Sequence, residues 1–430
     1  MKNFRFVVVS LVFLGAMICY LDRAALSYAI TPLSHEFHLN NTQFGLLLSC
    51  FGVGYIVTNV VGGYIADRIG PKLVWGGAAI LWSIATIMFG FAMGFMSLIV
   101  LRILLGLAEG PVFPSLSRTI SDWLPFKEKA QALSFGLLAI PISAVIGAPI
   151  STYLIVTYGW RYLFYILGTV GIIWSIIWLI IYTNKPKQHK FILPEELQYI
   201  ENGRLETKLN STGDKQAYFY QMFTNRTFLV TCYAYFCNGY MKFFIITWLP
   251  GYIIQTYNIK LEDLGIWLVI PWLLAAFSLV TNGYLADKIW QKTHSFRKSR
   301  SIIILLSLIT TALFLVPLLS VTTIGMAMIF ISIATALTYM ADSCIYAVTS
   351  DLNSHRAGIN LAIMNSFFGL SGIIAPIVTG YLSSQSHNFK TAILIVVLLN
   401  LSAGILVIFF HKPDRDIKQK KNEIDLYYNA

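Results

Sequence analysis

Gly62-Gly63-Tyr64-Ile65-Ala66-Asp67-Arg68-Ile69 and Asn282-Gly283-Tyr284-Leu285-Ala286-Asp287-Lys288-Ile289 are two copies of one pattern, offset by 220 residues at every matched position, as from Asp67 to Asp287. Each copy ends a long apolar run. A repeat of this kind in a chain of 430 residues implies two halves built alike, and duplicated helix bundles are a mark of membrane transporters.

Outward from the repeat, the composition agrees. The chain is 57% hydrophobic and 12% charged, with a mean hydropathy of +0.67, whereas a soluble domain has roughly a quarter of its residues charged. A soluble enzyme, a disordered chain, a collagen-like chain and a disulfide scaffold are all excluded. A polytopic membrane protein remains. Apolar windows predict helices over 6–30, 43–66, 72–94, 97–121, 129–156 and 160–183, then over 226–255, 262–286, 300–319, 322–349, 356–383 and 389–411. Each is long enough to cross a hydrocarbon core about 30 Å thick. The expected architecture is all-α: twelve transmembrane helices in two pseudo-symmetric six-helix bundles, 1–183 and 226–411, joined by a linker over 184–225 and followed by a tail over 412–430.

Charge orients the helices. With the N-terminus inside, 24 of the 31 Lys and Arg residues fall on the cytoplasmic side. Only Arg161, Lys260 and Lys390 fall outside, and Arg23, Arg102, Arg118 and Lys242 lie within spans. Both termini are therefore expected in the cytoplasm. The net charge of +11 is topological and predicts no nucleic-acid partner. The first apolar run is too long for a cleavable signal and is expected to be a membrane helix. Cys19, Cys50, Cys232, Cys237 and Cys344 all lie in apolar runs without a CxxC pair, so neither disulfides nor a metal site is expected, and no cofactor is implied.

Ionisable residues inside a bilayer cost a few kcal/mol and are functional by default. Asp22 and Arg23 lie about 12–14 Å from the outer end of their helix, too deep to snorkel easily. Arg102 and Glu109 are seven residues apart in the fourth helix and share one face. Arg23 is the candidate anion binder, because a guanidinium grips a carboxylate through a planar fork and stays charged. Tyr20 and Tyr55 can add hydroxyl donors. Asp22 and Glu109 are candidate proton carriers, with Arg102 tuning Glu109; the alternative for all four is a static ion-pair cluster. Lys242 and Asp342 either neutralise each other or present Lys242 to an anionic substrate. Pro111, Pro114, Pro141, Pro149, Pro271 and Pro376 lie inside predicted helices and are expected to kink them, as next to a cavity.

The stretch Gly63-Tyr64-Ile65-Ala66-Asp67-Arg68-Ile69-Gly70-Pro71-Lys72 resembles the loop motif of the major facilitator superfamily, and the weaker copy after the eighth helix is typical of it too. Three further stretches resemble the anion:cation symporters, which include bacterial sugar-acid and hexuronate permeases. They are Tyr20-Leu21-Asp22-Arg23-Ala24-Ala25-Leu26-Ser27, Arg102-Ile103-Leu104-Leu105-Gly106-Leu107-Ala108-Glu109-Gly110-Pro111-Val112-Phe113-Pro114, and Thr247-Trp248-Leu249-Pro250-Gly251-Tyr252. The resemblance implies that helices 1, 4, 7 and 10 line a central cavity. It also implies that Asp67 and Arg68, with Asp287 in the second copy, belong to an inner gate, to which Arg118 and Asp122 are added. Departures leave the substrate open: Leu138-Ala139-Ile140-Pro141 stands where a helix 5 Gln is usual, Tyr346 where Trp is usual, and Asn365 remains of a helix 11 pair. Tyr346 and Asn365 thereby join the candidate substrate-binding residues. Lys242 and Asp342 are not features of that family.

The function expected is proton-coupled uptake of a small organic anion, a carboxylate or sugar acid, by a monomer working through alternating access in a bacterial inner membrane. The alternatives are a proton-coupled exporter or drug antiporter on the same fold, a transporter of a polycarboxylate siderophore, and a non-transporting sensor or scaffold.

Overall fold

The computed structural model describes residues 3–203, 223–352 and 357–416. The middle of the 184–225 linker and most of the 412–430 tail lie outside them. The helices are α1 (Phe4–Tyr28), α2 (Ile30–Glu36), α3 (Asn41–Ile69), α4 (Pro71–Phe89), α5 (Phe95–Glu109), α6 (Val112–Trp123), α7 (Phe126–Tyr158), α8 (Trp160–Ile181) and α9 (Pro194–Asn202). After the linker follow α10 (Arg226–Tyr257), α11 (Leu261–Thr293), α12 (Ile302–Leu315), α13 (Ile324–Asp351), α14 (Ala357–Ser386) and α15 (Lys390–Phe410). Among the described residues, 11 helical segments are long and apolar enough to cross a membrane, and α3 makes a twelfth if its two parts, Asn41–Asn59 and Val61–Ile69, bent by 42°, count as one. This is the expected twelve-span pattern.

Local chemistry sets the ends. Asn40 caps α3, accepting from the Gln43 amide (2.8 Å) while the Gln43 side chain accepts from the Asn40 amide (3.0 Å). Gly70 separates α3 from α4 at φ +90, a conformation only glycine adopts cheaply, and Pro71 opens α4. Pro111 and Pro114 interrupt the fourth span between α5 and α6. Pro114 has no N–H to offer the Gly110 carbonyl, and the Asn59 amide donates to that carbonyl instead (3.1 Å).

The chain forms two compact units, Met1–Thr207 with Ile246–Val269, and Lys208–Ile245 with Ile270–Ala430. In the first, α3 crosses α5 and α6 on small residues. A Cβ on Gly106 would stand 2.1 Å from the Phe51 carbonyl, one on Gly110 2.1 Å from the Thr58 hydroxyl, and one on Gly54 2.3 Å from the Ile103 carbonyl. Such contacts let two backbones meet in a bilayer, where lipid supplies no hydrophobic drive. Trp75, Trp82, Trp174 and Trp178 fill the space between α4, α8 and α1. The tips of α10 and α11 pack in this same unit: Asn41 donates to Gln255 (3.1 Å), Phe44 meets Trp248 edge-on at 6.1 Å, and Gly265 lies against Thr152.

The linker's first part is built onto this unit. Glu196 of α9 accepts from the Phe4 and Arg5 amides (2.9 and 3.0 Å), so a carboxylate covers the exposed N–H groups at the start of α1. In the second unit, His411 is buried and bonded through both ring nitrogens, to Thr231 (3.0 Å) and Ser301 (2.7 Å). Burial pushes its imidazole down to about 4, so it stays neutral and pins the end of α15.

Candidate functional site

In the first unit, three of the four membrane charges converge. Arg23 projects from α1 and Glu109 ends α5, at the proline break. The Arg23 guanidinium donates to Glu109 Oε2 through Nη2 (2.8 Å) and Nε (3.2 Å). Three aromatic rings surround it, with centroids at 4.5 Å (Tyr20), 4.4 Å (Phe51) and 5.0 Å (Tyr55). The Cys19 thiol donates to the same Glu109 oxygen (3.2 Å).

Arg102 donates to the Arg23 carbonyl (3.2 Å), and among the described residues its Nε has no partner. Two buried guanidinium groups thus stand beside one hydrogen-bonded carboxylate. Asp22 turns away from Arg23, as neighbours on a helix must, since successive residues differ by about 100°. It is 1% exposed, and among the described residues neither oxygen has a hydrogen-bond partner.

The gate residues lie near helix ends. Arg118 of α6 bonds Asp67 (3.2 Å) and Asp122 (2.9 Å). Arg68 stacks over its own neighbour Tyr64 at 4.5 Å. Asp287 bonds Arg300 (2.9 Å). Asp67 and Asp287 remain largely exposed.

The second unit holds another polar group. Lys242 of α10 bonds both oxygens of Asp342 of α13 at 2.5 Å. Tyr346 donates to Asn365 Oδ1 (3.0 Å) and shares a hydrogen bond with the Tyr235 hydroxyl (3.1 Å). Among the described residues no cluster of His, Cys, Asp and Glu forms a metal site.

Sequence reasoning missed Phe51, Cys19 and Tyr235. Phe51 and Cys19 were findable, since each stands one helical turn from a residue already singled out, Tyr55 and Arg23. Tyr235 offered no such signal, because it meets Tyr346 only through the packing of α10 on α13.

The fold aligns with the crystal structure of a bacterial homologue of the human lysosomal transporter Spinster, with a TM-score of 0.80 and 16% identity over 97% of this chain and 98% of that one. By sequence, the chain is 29% identical to the hexuronate transporter of Bacillus subtilis, covering 94% of each. It is 28% identical to the "Probable galactarate/D-glucarate transporter" of the same organism, covering 98% of this chain and 95% of that one. The Major Facilitator Superfamily pattern itself matches residues 12–354 and 296–426, and the chain belongs to that superfamily.

Proposed function

We propose that the protein takes up a small organic anion, a carboxylate or sugar acid, together with protons, by alternating access in a bacterial inner membrane with both termini in the cytoplasm. The observation that supports this best is the Arg23 guanidinium, buried, caged by three rings and bonded to Glu109 through Nε and Nη2. With Arg102 beside it, the cluster has surplus positive charge where an anion would bind. The names of the relatives, a hexuronate and a galactarate/D-glucarate transporter, agree with a carboxylate cargo.

In this reading Arg23 holds the substrate carboxylate, the Tyr20 and Tyr55 rings fix the guanidinium, and their hydroxyls complete the site. Within the second unit, Lys242, Tyr346 and Asn365 are the candidate substrate-binding residues. Glu109 competes with substrate for the Arg23 fork. A proton on Glu109 weakens that bond and frees the fork, so proton and substrate load together. Asp22, buried and without a hydrogen-bond partner among the described residues, is the second proton position. Asp67 with Arg68 and Arg118, and Asp287 with Arg300, act in the inner gate. Loading at least as many protons as the anion has charges lets an inside-negative potential drive uptake, at about 2.3 kcal/mol per net charge per 100 mV.

The test is accumulation of D-glucuronate in proteoliposomes under an imposed proton gradient. Wild-type protein accumulates it; Glu109→Gln and Asp22→Asn lose uphill uptake, and at least one of them keeps counterflow. If both variants still concentrate substrate, neither carboxylate carries the proton.

A further inference from the structure

The linker opens with Asn184-Lys185-Pro186-Lys187-Gln188-His189-Lys190-Phe191-Ile192-Leu193, a stretch with three lysines and no carboxylate. It follows closely on α8, which ends at Ile181 and is long and apolar enough to cross a membrane. The stretch does not run off into water. Asn184 Oδ1 accepts from the Lys72 amide (2.9 Å), and its Nδ2 donates to the Ile69 carbonyl (3.4 Å), so it is tied to the turn between α3 and α4. One position earlier, the Thr183 carbonyl accepts from the Trp123 indole at the end of α6 (2.8 Å). His189 then folds back onto the bundle. Its Nε2 bonds the Ile181 carbonyl (3.0 Å), its Nδ1 accepts from the Phe191 amide (3.3 Å), and its ring stacks on Phe4 at 4.0 Å. A carbonyl can only accept, so Nε2 carries the proton. Burial pushes the imidazole below its usual range, so it stays neutral and acts as a post rather than a charge.

These bonds hold the stretch along the ends of α1, α3, α4, α6 and α8, all within the first unit. What it leaves exposed is of two kinds. Lys185, Lys187 and Lys190 are exposed, and so are Phe191, at 65%, and Leu193. Lys187 pairs with Glu201 of α9 (3.1 Å), but a pair so open to solvent holds weakly. Lysines beside an aromatic ring, at the place where a helix leaves the bilayer, match a leaflet surface. The ammonium groups are drawn to acidic headgroups, and the ring enters the boundary between headgroups and acyl chains. A soluble acidic partner would use the lysines and leave the ring in water.

We propose that residues 184–193 form a strap that binds the anionic phospholipids of the cytoplasmic leaflet, with Lys185, Lys187 and Lys190 on headgroup phosphates and Phe191 and Leu193 in the interface. The strap is already ordered by its bonds to the helix ends, so binding costs little conformational entropy. Lipid held there braces those ends against one another, and anionic lipid therefore stabilises the first unit. The strap acts in this way whatever the protein carries.

The test melts the purified full-length protein in detergent with increasing phosphatidylglycerol, phosphatidylcholine or inorganic phosphate. Phosphatidylglycerol is expected to raise the melting temperature more than phosphatidylcholine does, and the excess to shrink in about 0.5 M salt. The triple variant Lys185→Gln/Lys187→Gln/Lys190→Gln is expected to need at least about tenfold more phosphatidylglycerol for the same stabilisation, since each lysine near an anionic surface contributes about fivefold. Phe191→Ser is expected to raise the requirement by roughly threefold or more. The control Lys288→Gln/Lys292→Gln/Lys298→Gln removes the same charge from exposed positions of the second unit and shifts the requirement less. The melting transition of each variant without lipid shows that it is folded. Four results would each overturn the proposal: a strap variant that needs no more phosphatidylglycerol than wild type, a control variant that shifts the requirement as far, a Phe191→Ser variant equal to wild type, or inorganic phosphate stabilising as well as phosphatidylglycerol, which makes the lysines a site for a free anion.

Discussion

Arg23 is fixed by two kinds of contact with different chemical demands. The bonds to Glu109 need a planar donor fork, and the rings of Tyr20, Phe51 and Tyr55 need a flat cation against their faces. A lysine keeps the charge and meets neither demand well. Arg23→Lys is therefore expected to fold, since the charge still faces Glu109, but to lose roughly 10–100-fold in substrate affinity, the scale of one or two charge-assisted hydrogen bonds. Thermal-shift titration with D-glucuronate reads both quantities, and an affinity equal to wild type reduces Arg23 to a counter-ion. Asp22 shows what residue identity leaves undetermined. It is adjacent to Arg23, yet the helix turns the two apart, and Arg23 pairs with a carboxylate 86 positions away.

At the scale of elements, the site depends on how closely α3 approaches α5, because Phe51 and Tyr55 come from one helix and Glu109 from the other. Gly106 sets that approach, with backbone rather than flexible side chain in the way of any added methyl. Gly106→Ala is expected to destabilise the protein by about 1–3 kcal/mol, the usual cost of overpacking. Gly77→Ala in α4, where a Cβ meets nothing within 4 Å, is the control and stays within about 0.5 kcal/mol of wild type. Melting temperatures of the two variants in one detergent decide the matter: equal values would mean that α3 and α5 can separate without penalty. The proline break after Glu109 belongs here as well. The sequence shows the prolines, but that Asn59 bonds the freed Gly110 carbonyl follows only from the crossing.

For the whole molecule, the charge count predicts the loops at 37–40, 90–94 and 258–260 and the turn at 387–389 outside, with α9 and the chain ends inside. Single cysteines at Thr256 and Asn388, in a background without the five native ones, are expected to react with a membrane-impermeant maleimide on intact cells, and one at Lys187 only after lysis. External labelling at Lys187 reverses the topology. The structure agrees with the even alternation on which this rests: α9 meets the start of α1 and Glu128 near the start of α7, while Glu36 and Arg161 pair at the other ends of their helices. The Arg161 guanidinium holds the Glu36 carboxyl below its usual range, so this pair persists at neutral pH.

The sequence alone determined the number of membrane spans, the repeat, the superfamily resemblance and which side chains bear charge in the bilayer. These follow from composition and period, which the bilayer enforces helix by helix: twenty apolar residues form a span whatever their neighbours do. Only the tertiary structure decided which charges meet. Arg23 with Glu109, Lys242 with Asp342, and the lack of a hydrogen-bond partner for Asp22 among the described residues depend on helix rotation and crossing depth. Those are set by small residues and aromatic shapes distributed over several helices, and a rotation of about 100° between adjacent positions is enough to exchange one partner for another.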